Sequence, residues 1–194
     1  MKYLEMKSRY NVIIACSIVL LVSLQYLLLS ISFNEITVKI VGNNPFISFF
    51  GTINDIVLFT FPILVFLFLV ISIRFMLDIL DIKHISPYDT MTMVGFSNVP
   101  LLLGMIFYNI SVLFFMKENP ITMKDIENIH FIFNLQIKDY SFINKICWFL
   151  MYYMIIMCLF IKYKVPIIQS LTISIVPTLL FLLFSYMIKF IGSI

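Results

Sequence analysis

The sequence predicts an all-α integral membrane protein, a five-transmembrane-helix bundle forming one polytopic domain over residues 1–194. Three observations predict it. First, five stretches carry no Asp, Glu, Lys or Arg: Tyr10 to Asn34, Ile56 to Ile73, Thr90 to Met116, Ile146 to Ile161 and Val165 to Ile188. Second, 62% of residues are apolar and 12% charged, against about 25% charged in soluble domains. Third, the apolar runs cover the whole chain, which leaves no room for a separate soluble module.

A hydrocarbon core roughly 30 Å thick needs about 20 apolar helical residues. The run from Ile146 is the short one, and it reaches back through Ile143 and Asn144 if Lys145 and Lys162 snorkel to the two interfaces. The expected helices are therefore about 11–33, 55–78, 90–116, 143–162 and 166–190. The first follows Lys2, Lys7 and Arg9 and is too long for the h-region of a signal peptide, so it reads as an uncleaved anchor. Alternate sides of the membrane then hold seven and six Lys or Arg. With the N-terminal cluster, this slender excess favours a cytoplasmic N-terminus and an external C-terminus in the plasma membrane.

Two segments on the external side alternate in polarity. Ile36, Val38 and Ile40 alternate with Thr37 and Lys39 before Gly42-Asn43-Asn44-Pro45, and Ile129, Phe131, Phe133, Leu135 and Ile137 alternate with polar residues. Period two predicts half-buried strands pairing into a small external β-element. A loop plus an interfacial helix, with Asp125 and Glu127 in its first turn after Thr122, fits equally.

Pro62, Pro100 and Pro177 fall inside three of the helices, where each removes a backbone hydrogen bond and predicts a kink. Small residues recur at helical spacing: Cys16, Ser23 and Ser30; Ser97, Gly104 and Ser111; Ser170, Ser174 and Thr178. Such stripes let backbones approach closely in lipid and predict contact among the first, third and fifth helices. Asn98 and Asn109 in the third helix could bond across helices, and Trp148 belongs to the packing set. Cys16, Cys147 and Cys158 have no CxxC or histidine spacing and read as small apolar packing residues.

Catalytic chemistry finds no purchase in these residues. His84 and His130 fall on opposite sides of the membrane, and the sequence contains no HExxH, serine elbow, P-loop or paired intramembrane aspartates. The helix interiors hold no ionisable group except cysteine and tyrosine, which disfavours an enzyme, a proton relay, a metal site or any cofactor. Scattered basic residues at helix ends suit lipid headgroups and not nucleic acid. The one polar cluster is Arg74, Asp78 and Asp81 after the second helix. Arg74 and Asp78, four apart, can pair, and Asp78 and Asp81, three apart, lie on another face, as a solvated helix end or a partner-docking site.

From about Asn54 to Ser185 the chain resembles the Yip family, the Ypt/Rab-interacting membrane proteins, in its bacterial branch. The likeness rests on Arg74-Phe75-Met76-Leu77, then Ile85-Ser86-Pro87-Tyr88-Asp89-Thr90 and Val94-Gly95-Phe96-Ser97-Asn98-Val99-Pro100-Leu101-Leu102-Leu103-Gly104. It continues in Phe142-Ile143-Asn144-Lys145-Ile146-Cys147-Trp148 and in Lys162-Tyr163-Lys164-Val165-Pro166 before the last helix. The chain lacks a glycine near the end of that last turn and a long N-terminal extension, so a Rab-binding role does not carry over. The resemblance implies a non-enzymatic membrane protein, an accessory to a transport or export complex. Together with the missing chemistry and the small-residue stripes, it leads to the expectation of an accessory or scaffold subunit bound to another membrane protein such as an ABC-type exporter, or to itself. The alternatives are self-protection (immunity) against a membrane-active peptide or toxin, motivated by the aromatic-rich external segments, and a small oligomeric transporter.

Overall fold

A computed structural model describes residues 2–42, 44–118 and 137–191, and among these it is helical with short turns and no strand. Helix α1 spans Lys2–Val41 and α2 spans Pro45–Ile79. Gly42 turns the chain between them at φ 90°, a left-handed conformation that suits a residue without Cβ. Asn44 then caps α2, its side-chain oxygen accepting the Phe46 N–H at 2.9 Å, and Pro45 fills the first turn, where its missing donor costs nothing.

The end of α2 is a Schellman turn. Ile82 N–H returns to the Leu77 carbonyl at 2.9 Å, Asp81 N–H returns to Asp78, and Asp81 takes φ 55°. Helix α3, Pro87–Ser97, starts with a capping box: Asp89 N–H donates to the Ser86 hydroxyl oxygen, and the Asp89 carboxylate accepts from Ser86 N–H. Helix α4, Val99–Glu118, continues it after an interruption at Asn98. Helix α5, Ile137–Met157, passes into a π-helical turn, Cys158–Lys162, and α6 runs from Ile167 to Ile191.

Helix α1 packs against α2, α3 and α4; α5 packs against α3, α4 and α6; and α6 closes onto α2. The core comes from stripes at helical spacing, Phe66, Leu69, Ile73 and Leu77 on α2 and Cys147, Met151 and Ile155 on α5, continued by Leu159 in the π-helical turn. Among the described residues four segments are long and apolar enough to cross a membrane: Arg9–Val38, Pro45–Ile79, Pro87–Leu113 and Phe142–Lys162. In α6 the stretch Ile167–Leu180 is a shorter apolar helix. Leu, Ile and Phe cover much of the outer surface, as expected where the solvent is lipid.

The structure corrects three expectations, and a fourth falls outside the described residues. The strand expected over Ile36–Ile40 is the last part of α1, because Ile36 and Ile40 also lie one helical turn apart. Two cross-helix bonds hold this part of the hairpin, Asn34 to Asp55 at 2.8 Å and Asn54 to Ser30 at 2.8 Å. The alternating segment from Ile129 and the interfacial helix after Thr122 lie outside the described residues, apart from Ile137, which opens α5. Helix α2 begins ten residues before its expected start, since Asn44-Pro45 is a helix cap and not only a turn. The fifth helix finds its main neighbours in α2 and α5, so of the three helices expected to be in contact, the first and the third, here α1 and α3/α4, meet.

Of the three prolines, Pro62 and Pro177 lie inside continuous helices, while Pro100 follows the α3–α4 interruption.

Candidate functional site

The helix directions bring the N-terminus, the α2–α3 connection and the α5–α6 connection to one end of the bundle, and the α1–α2 turn to the other. At the first end Arg74 is a staple between elements. Its Nη1 donates to the Ile85 carbonyl at 2.6 Å and its Nη2 to Asp78 Oδ1 at 2.6 Å, which holds the α2–α3 connection against α2. A carbonyl only accepts, so the contact of His84 Nε2 with the Tyr163 carbonyl at 2.9 Å places the proton on Nε2 and ties this connection to the one before α6. Ile85 and Val165 are buried beneath these bonds.

Asp89 Oδ2 accepts the Ser86 hydroxyl at 2.7 Å. The buried Tyr163 hydroxyl lies near this carboxylate with no hydrogen bond of good geometry, and burial, with the charge of Asp89 second, pushes its pKa above the ordinary phenol value. Asp78 and Asp81 remain largely exposed. Asp81 sits past the end of α2 and pairs with Lys83 at 2.7 Å, not on a helical face beside Asp78 as its spacing implied.

Beside Arg74 a groove of about 390 Å³ opens between α2 and α3, lined by Val70, Ile71, Phe75, Asp78, Thr90 and Met91 among others. At the opposite end a cleft of about 400 Å³ lies in the α1–α2 hairpin among Asn34, Glu35, Ser48, Gly51, Thr52 and Asp55. Among the described residues no three His, Cys, Asp or Glu side chains assemble in a way that could hold a metal ion.

The packing residues sort into two kinds. Ser97, Ser111, Ser170 and Ser174 are buried, and each hydroxyl donates to a carbonyl of its own helix or of the turn before it, which leaves smooth surfaces for close packing. Asn98 also bonds within its helix, to the Val94 carbonyl at 2.8 Å, and so does not cross to a neighbour. Asn109 does cross, donating to the Gln25 side chain at 2.6 Å and to its carbonyl at 2.9 Å, which joins α4 to α1. Pro100 is half-buried in the first turn of α4, and half-buried Trp148 packs on the core.

Gly104 lets the Cys147 sulfur of α5 approach, since an added Cβ would lie 2.6 Å from it. Sequence reasoning missed the tightest contact, Gly95 against Ala15. A Cβ at Gly95 would overlap that of Ala15 and lie 2.9 Å from its Cα, so α1 and α3 touch almost backbone to backbone. The only signal for it was a small residue in each apolar run. Tyr152 and Thr178, bonded at 2.8 Å between α5 and α6, were likewise not singled out as a pair.

The arrangement is that of a multi-pass helical membrane protein. Comparison with protein-family models, with curated proteins and with solved structures finds no match.

Proposed function

We propose that this chain is a five-span plasma-membrane protein with a cytoplasmic N-terminus, acting as a non-enzymatic accessory or scaffold subunit that docks on another integral membrane protein. The partner class is a transport or export assembly such as an ABC-type exporter, in keeping with the Yip-family resemblance of the α2 to α6 region. The observation that carries this reading is the braced platform at the N-terminal end. Arg74, His84 and Asp89 spend their bonds on fixing the two connections, while Asp78, Asp81, Lys83, Lys162 and Lys164 stay exposed on them. Fixed backbone carrying exposed charge of both signs is suited to recognition by electrostatic complementarity.

Charge distribution supports the orientation. By the helix directions, this end collects seven Lys or Arg and four Asp or Glu, whereas the rest of the sequence has six of each. The net charge of +3 thus belongs to the end assigned to the cytoplasm, where anionic lipids attract basic residues. As a test, an affinity tag at the N-terminus and crosslinking in intact membranes are expected to capture one integral membrane partner in stoichiometric amount. Asp78→Lys combined with Asp81→Lys is expected to cut that capture at least tenfold. Unchanged capture by the double variant would remove the platform from the reading.

A further inference from the structure

We propose that the outward face of α2 is an interface with a second copy of this chain, the two α2 helices lying parallel about a twofold axis along the membrane normal. The proposal rests on reading the chain as a membrane docking protein and assigns the occupant of a face which that reading leaves open.

Length is the starting point. Helix α2 has 35 residues, about 52 Å at 1.5 Å per residue, against a hydrocarbon core of about 30 Å. Asp55, held by Asn34 of α1, and Arg74, held by Asp78, are the first charges met on α2 from either side of its central apolar run. They lie about 28 Å apart along the helix, so they mark the two edges of the core. Tilt does not absorb the remainder, since fitting the whole helix into the core needs roughly 55°, beyond the range of about 0 to 40° for spanning helices. The segment Pro45–Asn54 therefore stands above the hydrocarbon.

That segment is where exposed aromatic surface concentrates. Phe46 is 67% exposed, Phe49 61% and Phe50 53%, with ring centroids 4.6 Å apart for Phe46 and Phe50 and 5.7 Å for Phe49 and Phe50. Lipid tails cover such a patch at no cost, but water does not, and a contiguous aromatic patch in water marks an interaction surface.

The patch continues as a seam. Phe46, Phe50, Ile53, Val57, Leu64, Leu67 and Ile71 are all exposed and follow alternating steps of three and four residues, with Thr60 filling the one missing step. A 3.5-residue period is that of two parallel helices wound around each other. Thr60 does not break the seam, because its hydroxyl donates within the helix to Ile56 and Val57. Asp55 is turned inward, toward Asn34. The exposed parts of the seam and of Phe49 amount to on the order of 800 Å² per copy, taking about 150 to 250 Å² for an aromatic side chain and somewhat less for an aliphatic one, which is the size of a standard interface.

A second copy is the occupant that this surface fits. Two chains inserted in the same direction carry the patch at the same height, so a twofold axis along the normal sets Phe46, Phe49 and Phe50 against their own counterparts. The seam is uncharged, so self-pairing brings no like charges together.

Single cysteines at Phe46, Ile53 and Leu64 in the full chain, oxidised in native membranes, test the proposal, with Ile13→Cys on α1, Phe149→Cys on α5 and Ile168→Cys on α6 as exposed comparisons off the seam. The expected result is covalent dimer at the three seam positions, at least fivefold above the comparison positions. In mild detergent, Phe46→Ser with Phe49→Ser and Phe50→Ser is expected to convert dimer to monomer with helical content unchanged. Equal crosslinking at all six positions, or monomer alone at the seam, overturns the proposal. So does seam crosslinking to a different integral membrane protein, which would leave the docking reading standing, whereas loss of the N-terminal platform's partner with the seam dimer intact would remove only that reading.

Discussion

At Gly95 one added methyl group has nowhere to go. The obstacle is Ala15 backbone, which moves only if α1 moves, so Gly95→Ala is expected to cost about 1 to 3 kcal/mol as an overpacked contact. Gly104→Ala meets the end of a side chain instead, the Cys147 sulfur, which can rotate away, and its cost should be clearly smaller. Thermal unfolding of both variants in one detergent checks the order, and equal losses would show that the α1–α3 approach is not the tighter one. Asn109→Leu removes the bond from α4 to Gln25 and should cost about 0.6 to 1.7 kcal/mol, the scale of interhelical bonds in membranes. Asn98→Leu loses only a bond within its own helix and should cost less. The residues themselves were visible in the sequence, but whether an asparagine bonds across or along a helix depends on the face it lands on.

At the scale of elements, the connections at the N-terminal end hold the strongest local signals. Asp81 adopts a left-handed conformation that a β-branched residue strongly resists, so Asp81→Val is expected to destabilise by about 1 to 2 kcal/mol, whereas Asp81→Gly should be neutral or stabilising. Its exposed pair with Lys83 contributes little either way. Denaturation midpoints of the two variants decide this, and a loss with Gly as large as with Val would shift the role of Asp81 to the ion pair. The neighbouring Tyr163 gives a pH prediction. Its folded pKa lies above the unfolded value of 10.0, so its contribution is complete below pH 10, and falls as pH rises beyond that because the unfolded chain releases the proton first. Thermal scans from pH 8 to 11 should show a smaller alkaline loss for Tyr163→Phe than for the parent chain.

For the whole molecule, the alternation of helix directions makes a prediction independent of any partner. Cysteines introduced at Tyr88 and Lys164 should react with an impermeant maleimide from the same side of the membrane, and one at Phe46 from the other. Labelling of Phe46→Cys from the side that labels Tyr88→Cys would require a different number of crossings between them. With a cytoplasmic N-terminus, the Tyr88 and Lys164 positions react only in opened vesicles or from the cytoplasmic face.

Sequence by itself determined the membrane class, the apolar runs and the Arg74–Asp78 pair, because each depends on composition or on spacing within one helix. It placed the buried serines correctly for the same reason, since a helical stripe is a property of one helix. It misread Ile36 to Ile40, where apolar residues two apart are also four apart, and the period could not choose between strand and helix. Tertiary structure decided that case through the bonds from Asn34 to Asp55 and from Asn54 to Ser30. It also decided that α6 packs on α2 and α5, that Gly95 meets Ala15, and that His84 reaches the Tyr163 carbonyl 79 residues away. These are facts about which faces meet. In a membrane many apolar faces are equally content with lipid, so the pattern of a helix says little about its neighbours until close packing and a few buried polar bonds select them.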